Sequence, residues 1–235
     1  MKLELNPLLR FCFGFFLFAC LSVTQGLYAS DNAGNYLSWS SGDNQGTGFG
    51  PWVLEGNNDG TAKFAGNFLA TSSNPAGRNS GIFSPDSTGN AFALYANPLG
   101  AFVTAKRNFG GSASPTPLAV GESFRVQWVQ YWAGGYKGIN LYFAGWDDTT
   151  DKVLNLRQNG DQFLAQSRGA ANAVVAIADA YNNLTTVTIR RAAPDTLVVK
   201  AQTDDSADVS YESTFRSPSP DRVSFYFSSG VNGVQ

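Results

Sequence analysis

Apolar and polar residues alternate with a period of two along several short stretches of this 235-residue chain. Phe124, Val126 and Trp128 fall on one side and Arg125 and Gln127 on the other. Val187 and Ile189 alternate with Thr186, Thr188 and Arg190, and the pattern resumes at Leu197 and Val199 across an Ala192-Ala193-Pro194-Asp195 turn. Val223, Phe225 and Phe227 alternate with Ser224, Tyr226 and Ser228. Successive side chains of an extended chain point to opposite faces, so these stretches predict half-buried antiparallel strands. Further strands are predicted at 62–70, 91–96, 102–106, 139–144, 153–156 and 162–166, with turn residues every 8 to 15 positions. The alanine-rich stretch 170–180 permits a helix, but its Val174-Val175-Ala176-Ile177 centre favours a strand. The predicted fold class is all-β, an antiparallel two-sheet β-sandwich or jelly roll.

The N-terminal pattern is different. An apolar run of about 13 residues, 11–23, follows Lys2 and Arg10 and contains both cysteines, Cys12 and Cys20. A charged start, a run too short to span a bilayer and a small-residue exit at Leu27-Tyr28-Ala29 predict a secretory signal peptide over 1–29. A single domain over 30–235 follows, with no transmembrane anchor, destined for the exterior, the cell surface or the periplasm. Leu17-Phe18-Ala19-Cys20 loosely resembles a lipoprotein acylation site, although Phe18 fits poorly there; cleavage after Ala29 is the preferred reading.

Loss of Lys2, Arg10 and Glu4 with the leader leaves 14 of the 16 basic residues and 17 of the 18 acidic ones. Lysine and arginine are scattered singly apart from Lys106-Arg107 and Arg190-Arg191, so no basic patch suits nucleic acid. The remaining 206 residues are enough to bury roughly 70% of the unfolded surface in one core without disulfides. The chain has no histidine, and its cysteines lie in the leader. Ser-His-Asp, Cys-His and histidine-based metal chemistry are thereby excluded. Chemistry by two carboxylates stays open, and no catalytic residue is assigned. The one cofactor reading is calcium at Asp147, Asp148 and Asp151, with Asn57, Asn58 and Asp59 as a second cluster. The competing reading is a pair of solvated turns, which use the same residue types.

The most distinctive block is Gly46-Thr47-Gly48-Phe49-Gly50-Pro51-Trp52, preceded by Asp31-Asn32-Ala33-Gly34-Asn35-Tyr36 and Gly42-Asp43-Asn44. Its glycines fit a tight structural wrap against Phe49 and Trp52 better than an anion nest, since no basic residue or helix follows. Together with Ala91-Phe92-Ala93-Leu94-Tyr95-Ala96-Asn97, residues 118–124 and residues 223–227, this block resembles a group of secreted bacterial concanavalin A-like β-sandwich domains. That group is of uncharacterised function and often precedes a C-terminal exosortase sorting signal. The resemblance implies the sandwich fold but carries over no activity. Such domains continue past the glycine turn near Gly230 into one more strand, whereas this chain stops at Gln235, so the resemblance implies either a sequence cut short of its last strand or an unfilled sheet edge open to self-association.

Aromatic residues near loops supply the functional expectation. Sugar rings stack on flat apolar faces and are oriented by neighbouring amides, so Trp132, Tyr136, Asn140 and Trp146 are the predicted ligand-binding residues. Trp128 is in phase with the core, and Trp39 and Trp52 belong to the wrap. The expected role is a non-catalytic secreted or surface module that binds polysaccharide or extracellular matrix. Its rivals are a structural subunit assembling through sheet edges and a carboxylate-dependent glycan-active enzyme.

Overall fold

The computed structural model describes residues 29–71, 89–97, 100–111, 114–130, 135–159, 162–167, 173–176, 183–203 and 210–228. Among the described residues thirteen strands appear in chain order: β1 (Val53–Gly56), β2 (Phe64–Ala70), β3 (Ala91–Asn97), β4 (Phe102–Asn108), β5 (Ser123–Trp128), β6 (Tyr136–Tyr142), β7 (Lys152–Asn159), β8 (Gln162–Ser167), β9 (Ala173–Ala176), β10 (Thr185–Ala193), β11 (Thr196–Thr203), β12 (Ser210–Arg216) and β13 (Arg222–Ser228). Every strand pairing is antiparallel. The signal-peptide reading and Trp132 lie outside the described residues.

Seven strands form one sheet in the order β1-β4-β13-β6-β7-β8-β9. Its inner face is covered by the four-stranded sheet β12-β11-β10-β5 and, beside that, by the β2–β3 hairpin. The fold is thus the antiparallel all-β sandwich that the alternation predicts. Ile139, Leu141, Leu154, Leu156 and Phe163 of the larger sheet meet Val187, Ile189, Leu197 and Val199 of the smaller one, all fully buried. Each such side chain contributes on the order of 1.5–3 kcal/mol by leaving water. Under the hairpin, Leu69, Phe92 and Leu94 pack on Tyr36, Trp39, Trp52 and Ala105.

The glycine-rich block is the structural wrap. Gly50 N donates to Asn108 O and Gly110 N to Gly48 O, stitching the segment to the end of β4. A Cβ on Gly46 would lie 2.7 Å from the Asp31 carboxyl carbon, so only glycine allows that approach. Arg107 of β4 anchors the arrangement from inside. Its guanidinium pairs with Asp31, donates to Asn44 Oδ1 and to Gly50 O, and lies between the rings of Phe49 and Trp52 at 4.8 and 4.6 Å. Tyr36 donates its hydroxyl to the same Asp31 carboxylate, 2.8 Å away. Burial pulls the Arg107 pKa down and Asp31 opposes that fall.

Several strand limits differ from expectation. β6 begins at Tyr136 rather than Ile139, so Tyr136 is a strand residue and not a loop residue. It also ends at Tyr142, before Ala144, whose φ of 68° breaks the extended course. β1 and β12 were not predicted at all; one is short and the other is dominated by polar residues. The final strand β13 lies inside the sheet between β4 and β6.

Candidate functional site on the outer face of the large sheet

Cross-strand partners share a face of a sheet, so the register fixes what the seven-stranded sheet shows to the outside. One row runs Glu55, Thr104, Tyr226, Gly138, Arg157, and the next runs Val53, Lys106, Ser224, Asn140, Asn155, Gln166. Tyr136 and Tyr142 flank these rows on β6. The predicted residues Tyr136 and Asn140 therefore stand on one strand face, four positions apart, and both are partly exposed.

Trp146 joins them from the segment 143–151, which folds back over the end of β6. Its ring packs edge-on against Tyr142, with centroids 5.2 Å apart, and takes Lys106 and Arg222 within 5.7 and 5.8 Å of its centre. Three features fix that segment. Buried Asp221 accepts from Arg222 at 2.6 Å and from Ala144 N at 3.4 Å. Phe143 N donates to Asp151 O, and Gly145 leaves room for the Asp151 carboxylate, which would lie 2.0 Å from any Cβ there. Trp146 thus forms a held wall at one end of the face, with a partly buried ring.

The three aspartates read as a calcium site are engaged with the turn itself. Asp147 Oδ1 accepts from the N–H groups of Thr149 and Thr150 at 2.7 and 2.8 Å, which holds its carboxyl below the ordinary range. Asp151 Oδ2 accepts from Asp147 N, and Asp148 accepts the Tyr142 hydroxyl at 2.6 Å and Lys152 at 3.4 Å. In the second cluster Asp59 Oδ1 takes three backbone N–H groups, from Thr61, Ala62 and Lys63, while Asn57 ties the end of β1 to Gly100 and Phe102. Among the described residues no group of three or more metal-ligating side chains gathers.

Sequence reasoning missed the middle of the face. Asn155 Nδ2 donates to Asn140 Oδ1 at 2.6 Å and to Tyr226 Oη at 2.9 Å, linking β6, β7 and β13 in one polar chain. Burial pushes the Tyr226 phenol up to about 12, so it stays protonated and keeps a hydroxyl to donate. The Arg157 guanidinium lies over the Tyr136 ring at 4.2 Å. Period-two phase along 153–159 does place Asn155 and Arg157 outward together. What the sequence alone does not show is which strands adjoin β7.

The opposite surface of the molecule is built differently. The outward rows of the four-stranded sheet are Ser123, Arg190, Val198, Thr214 and Arg125, Thr188, Lys200, Glu212, followed by Gln127, Thr186 and Gln202. Among the described residues they carry no aromatic ring.

No family model matches the sequence, and no curated protein matches it either. Among solved structures, a beta-glucanase from Bacillus licheniformis is similar at a TM-score of 0.40 and 13% identity, covering 83% of this chain and 90% of that one. Among the described residues no helix is long and apolar enough to cross a membrane.

Proposed function

We propose that the chain is an exported β-sandwich that binds extracellular polysaccharide on the outer face of its seven-stranded sheet. The observation that carries this reading is the contrast between the two outer faces. One bears the partly exposed rings of Tyr136, Tyr226 and Trp146 among Asn140, Asn155, Arg157 and Lys106, whereas the described residues of the other bear aliphatic, hydroxyl, amide and charged side chains. A solvated sheet face has no need of rings, while sugar recognition uses flat apolar faces flanked by fixed hydrogen-bonding groups. The fixed groups are present, since Asn140, Asn155 and Tyr226 already hold one another.

Binding is favoured over carboxylate-pair catalysis by the acid inventory. Glu55 is the one carboxylate on the outward rows of these strands among the described residues, and it pairs with Lys106 at 2.6 Å. A two-carboxylate mechanism needs a second acid across the groove, about 5 to 9.5 Å away. Export rests on the N-terminal pattern of charged start, apolar run and small-residue exit.

Retention of the purified protein on a panel of neutral and acidic polysaccharides tests the reading. Tyr136→Ala should weaken the best retention by about three- to tenfold, the loss expected for one stacking ring. Thr188→Ala on the other sheet should leave it unchanged. Equal retention of both variants would remove this face from the account.

A further inference from the structure

The two larger sheets end in four strands, β1 and β9 on one and β5 and β12 on the other, and these edges are not equivalent. The wrap seals β1. Gly42 N donates to Trp52 O and Trp52 N to Asp43 O, while the Ser41 hydroxyl accepts from Leu54 N at 2.8 Å and donates to Leu54 O at 3.3 Å. β9 is four residues long, and β5 turns outward Ser123, Arg125 and Gln127, a cation without an acid. β12 differs. Ser217 N donates to Asp195 O, so the backbone of Ser217 faces the neighbouring strand. Backbone groups alternate sides along an extended chain, which turns the N–H and C=O of Glu212, Thr214 and Arg216 away from β11. Among the described residues these groups find no partner. A row of free donors and acceptors is a template for another strand.

The side chains decide which strand fits. Glu212, Thr214 and Arg216 are exposed on the outer face, whereas Phe215 is buried and Ser213 half-buried on the inner one. Charges on an edge ordinarily keep other chains away. Here their order, an acid and then a base four positions on, makes the edge complementary to itself. With a second copy laid antiparallel so that Thr214 meets its own counterpart, Glu212 of each copy falls opposite Arg216 of the other, and the small Ser213 falls opposite the large Phe215. Lys200 already flanks Glu212 on the β11 side, so the acid sits between two cations. Neither Glu212 nor Arg216 has an ion pair within its own chain among the described residues. Opposite charges directly across a ladder stabilise it and like charges destabilise it. A slip by one residue would set the outer face of one copy against the inner face of the other, and a slip by two would lose both charge pairs.

We propose that β12 is the docking edge for a second copy of this chain, and that the two four-stranded sheets join there as one continuous sheet about a two-fold axis through Thr214. The pairing stands independently of the glycan reading. Its consequence bears on that reading, because a register that keeps outer faces together places the axis along the sheet normal. Both seven-stranded sheets then lie on one side and turn their outer faces the same way, so a dimer offers two candidate glycan faces to one polymer.

Analytical ultracentrifugation of the purified protein, from low micromolar to submillimolar concentration, tests the pairing. A reversible monomer–dimer equilibrium is expected. Arg216→Glu sets acid against acid at both contacts and should raise the dissociation constant by about tenfold or more, and Glu212→Arg should do the same with two bases. Mixed together, the two single variants should associate again, since each then meets the opposite charge. Thr214→Pro removes an N–H that faces the second copy and no bond of its own ladder, so it should abolish the dimer and leave the circular dichroism spectrum of the monomer unchanged. A chain that stays monomeric throughout would overturn the proposal. So would a dimer indifferent to Arg216→Glu and Thr214→Pro, or a mixture of the two charge variants that associates no better than either alone. None of these outcomes touches glycan retention, which is read separately.

Discussion

Asp31→Asn is the substitution that most sharply probes how the N-terminal wrap holds this fold. Asp31 is nearly buried, with 7% of its side chain exposed, and it neutralises an Arg107 whose side chain is 2% exposed. The amide is isosteric, but its single oxygen replaces only one of the two carboxylate oxygens, which accept separately from Asn32 N and from the Tyr36 hydroxyl and Arg107, so the change removes the charge together with one acceptor. Arg107 cannot shed its proton, and an unpaired buried cation costs about 3–5 kcal/mol when its partner is removed. That is a large share of a total stability of roughly 5–15 kcal/mol. For a domain of this size each kcal/mol shifts the melting temperature by about 2–4 °C, so the expected fall is about 6–20 °C. Thermal melts followed by near-ultraviolet circular dichroism, which reports Trp39 and Trp52 packing, would read it. Arg107→Met combined with Asp31→Asn should cost less than the two changes added, since neither charge is then stranded. A fall below 2 °C for Asp31→Asn, or strict additivity in the double variant, would refute the claim that this pair anchors the wrap.

Lys152→Gln, by contrast, breaks only the surface pair with Asp148, whose side chain is 58% exposed, and should shift stability by less than about 0.5 kcal/mol in urea denaturation. Gln158→Leu leaves the buried indole N–H of Trp128 without its acceptor and should cost about 1–3 kcal/mol, whereas adding Trp128→Phe should recover part of that loss. Gly138→Ala should prevent stable β6–β7 pairing, seen as loss of the cooperative melt, because no relaxation of a side chain can clear a backbone oxygen 1.9 Å away. Burial lowers the Lys137 ammonium from 10.5 to about 8. The unfolded chain then binds more protons than the folded one between those values, so stability should rise with pH across that window relative to Lys137→Met. A flat or falling difference would refute the assignment.

The sandwich was legible because its inner rows are regular: Phe124, Val126 and Trp128, or Val223 and Phe225, need no tertiary information to be assigned a common face. β1 and β12 escaped notice for opposite reasons. Val53–Gly56 is four residues long and ends in glycine, and Ser210–Arg216 carries mainly hydroxyl and charged groups between its rings. Tyr136 reads as lying near a loop because the predicted strand starts only at Ile139, yet β6 begins at Tyr136 and contains Gly138, which admits the Leu156 carbonyl. Of the predicted binding residues, the structure brings Tyr136, Asn140 and Trp146 to one face. Arg157, Asn155 and Tyr226 were invisible as a group because β7 and β13 meet β6 through pairings 10 to 92 residues distant in sequence. The wrap shows the same limit: Asp31 and Arg107 are 76 positions apart, and neither alone signals a partner.

Amide chemical-shift mapping with a soluble oligosaccharide cut from the best-retained polysaccharide tests the central claim most directly. Perturbations should centre on β6, β7 and β13, strongest around Tyr136, Gly138, Asn140, Asn155, Arg157 and Tyr226. Shifts centred instead on Arg125, Thr188 and Lys200 of the four-stranded sheet, or no shifts at saturating ligand, would contradict it.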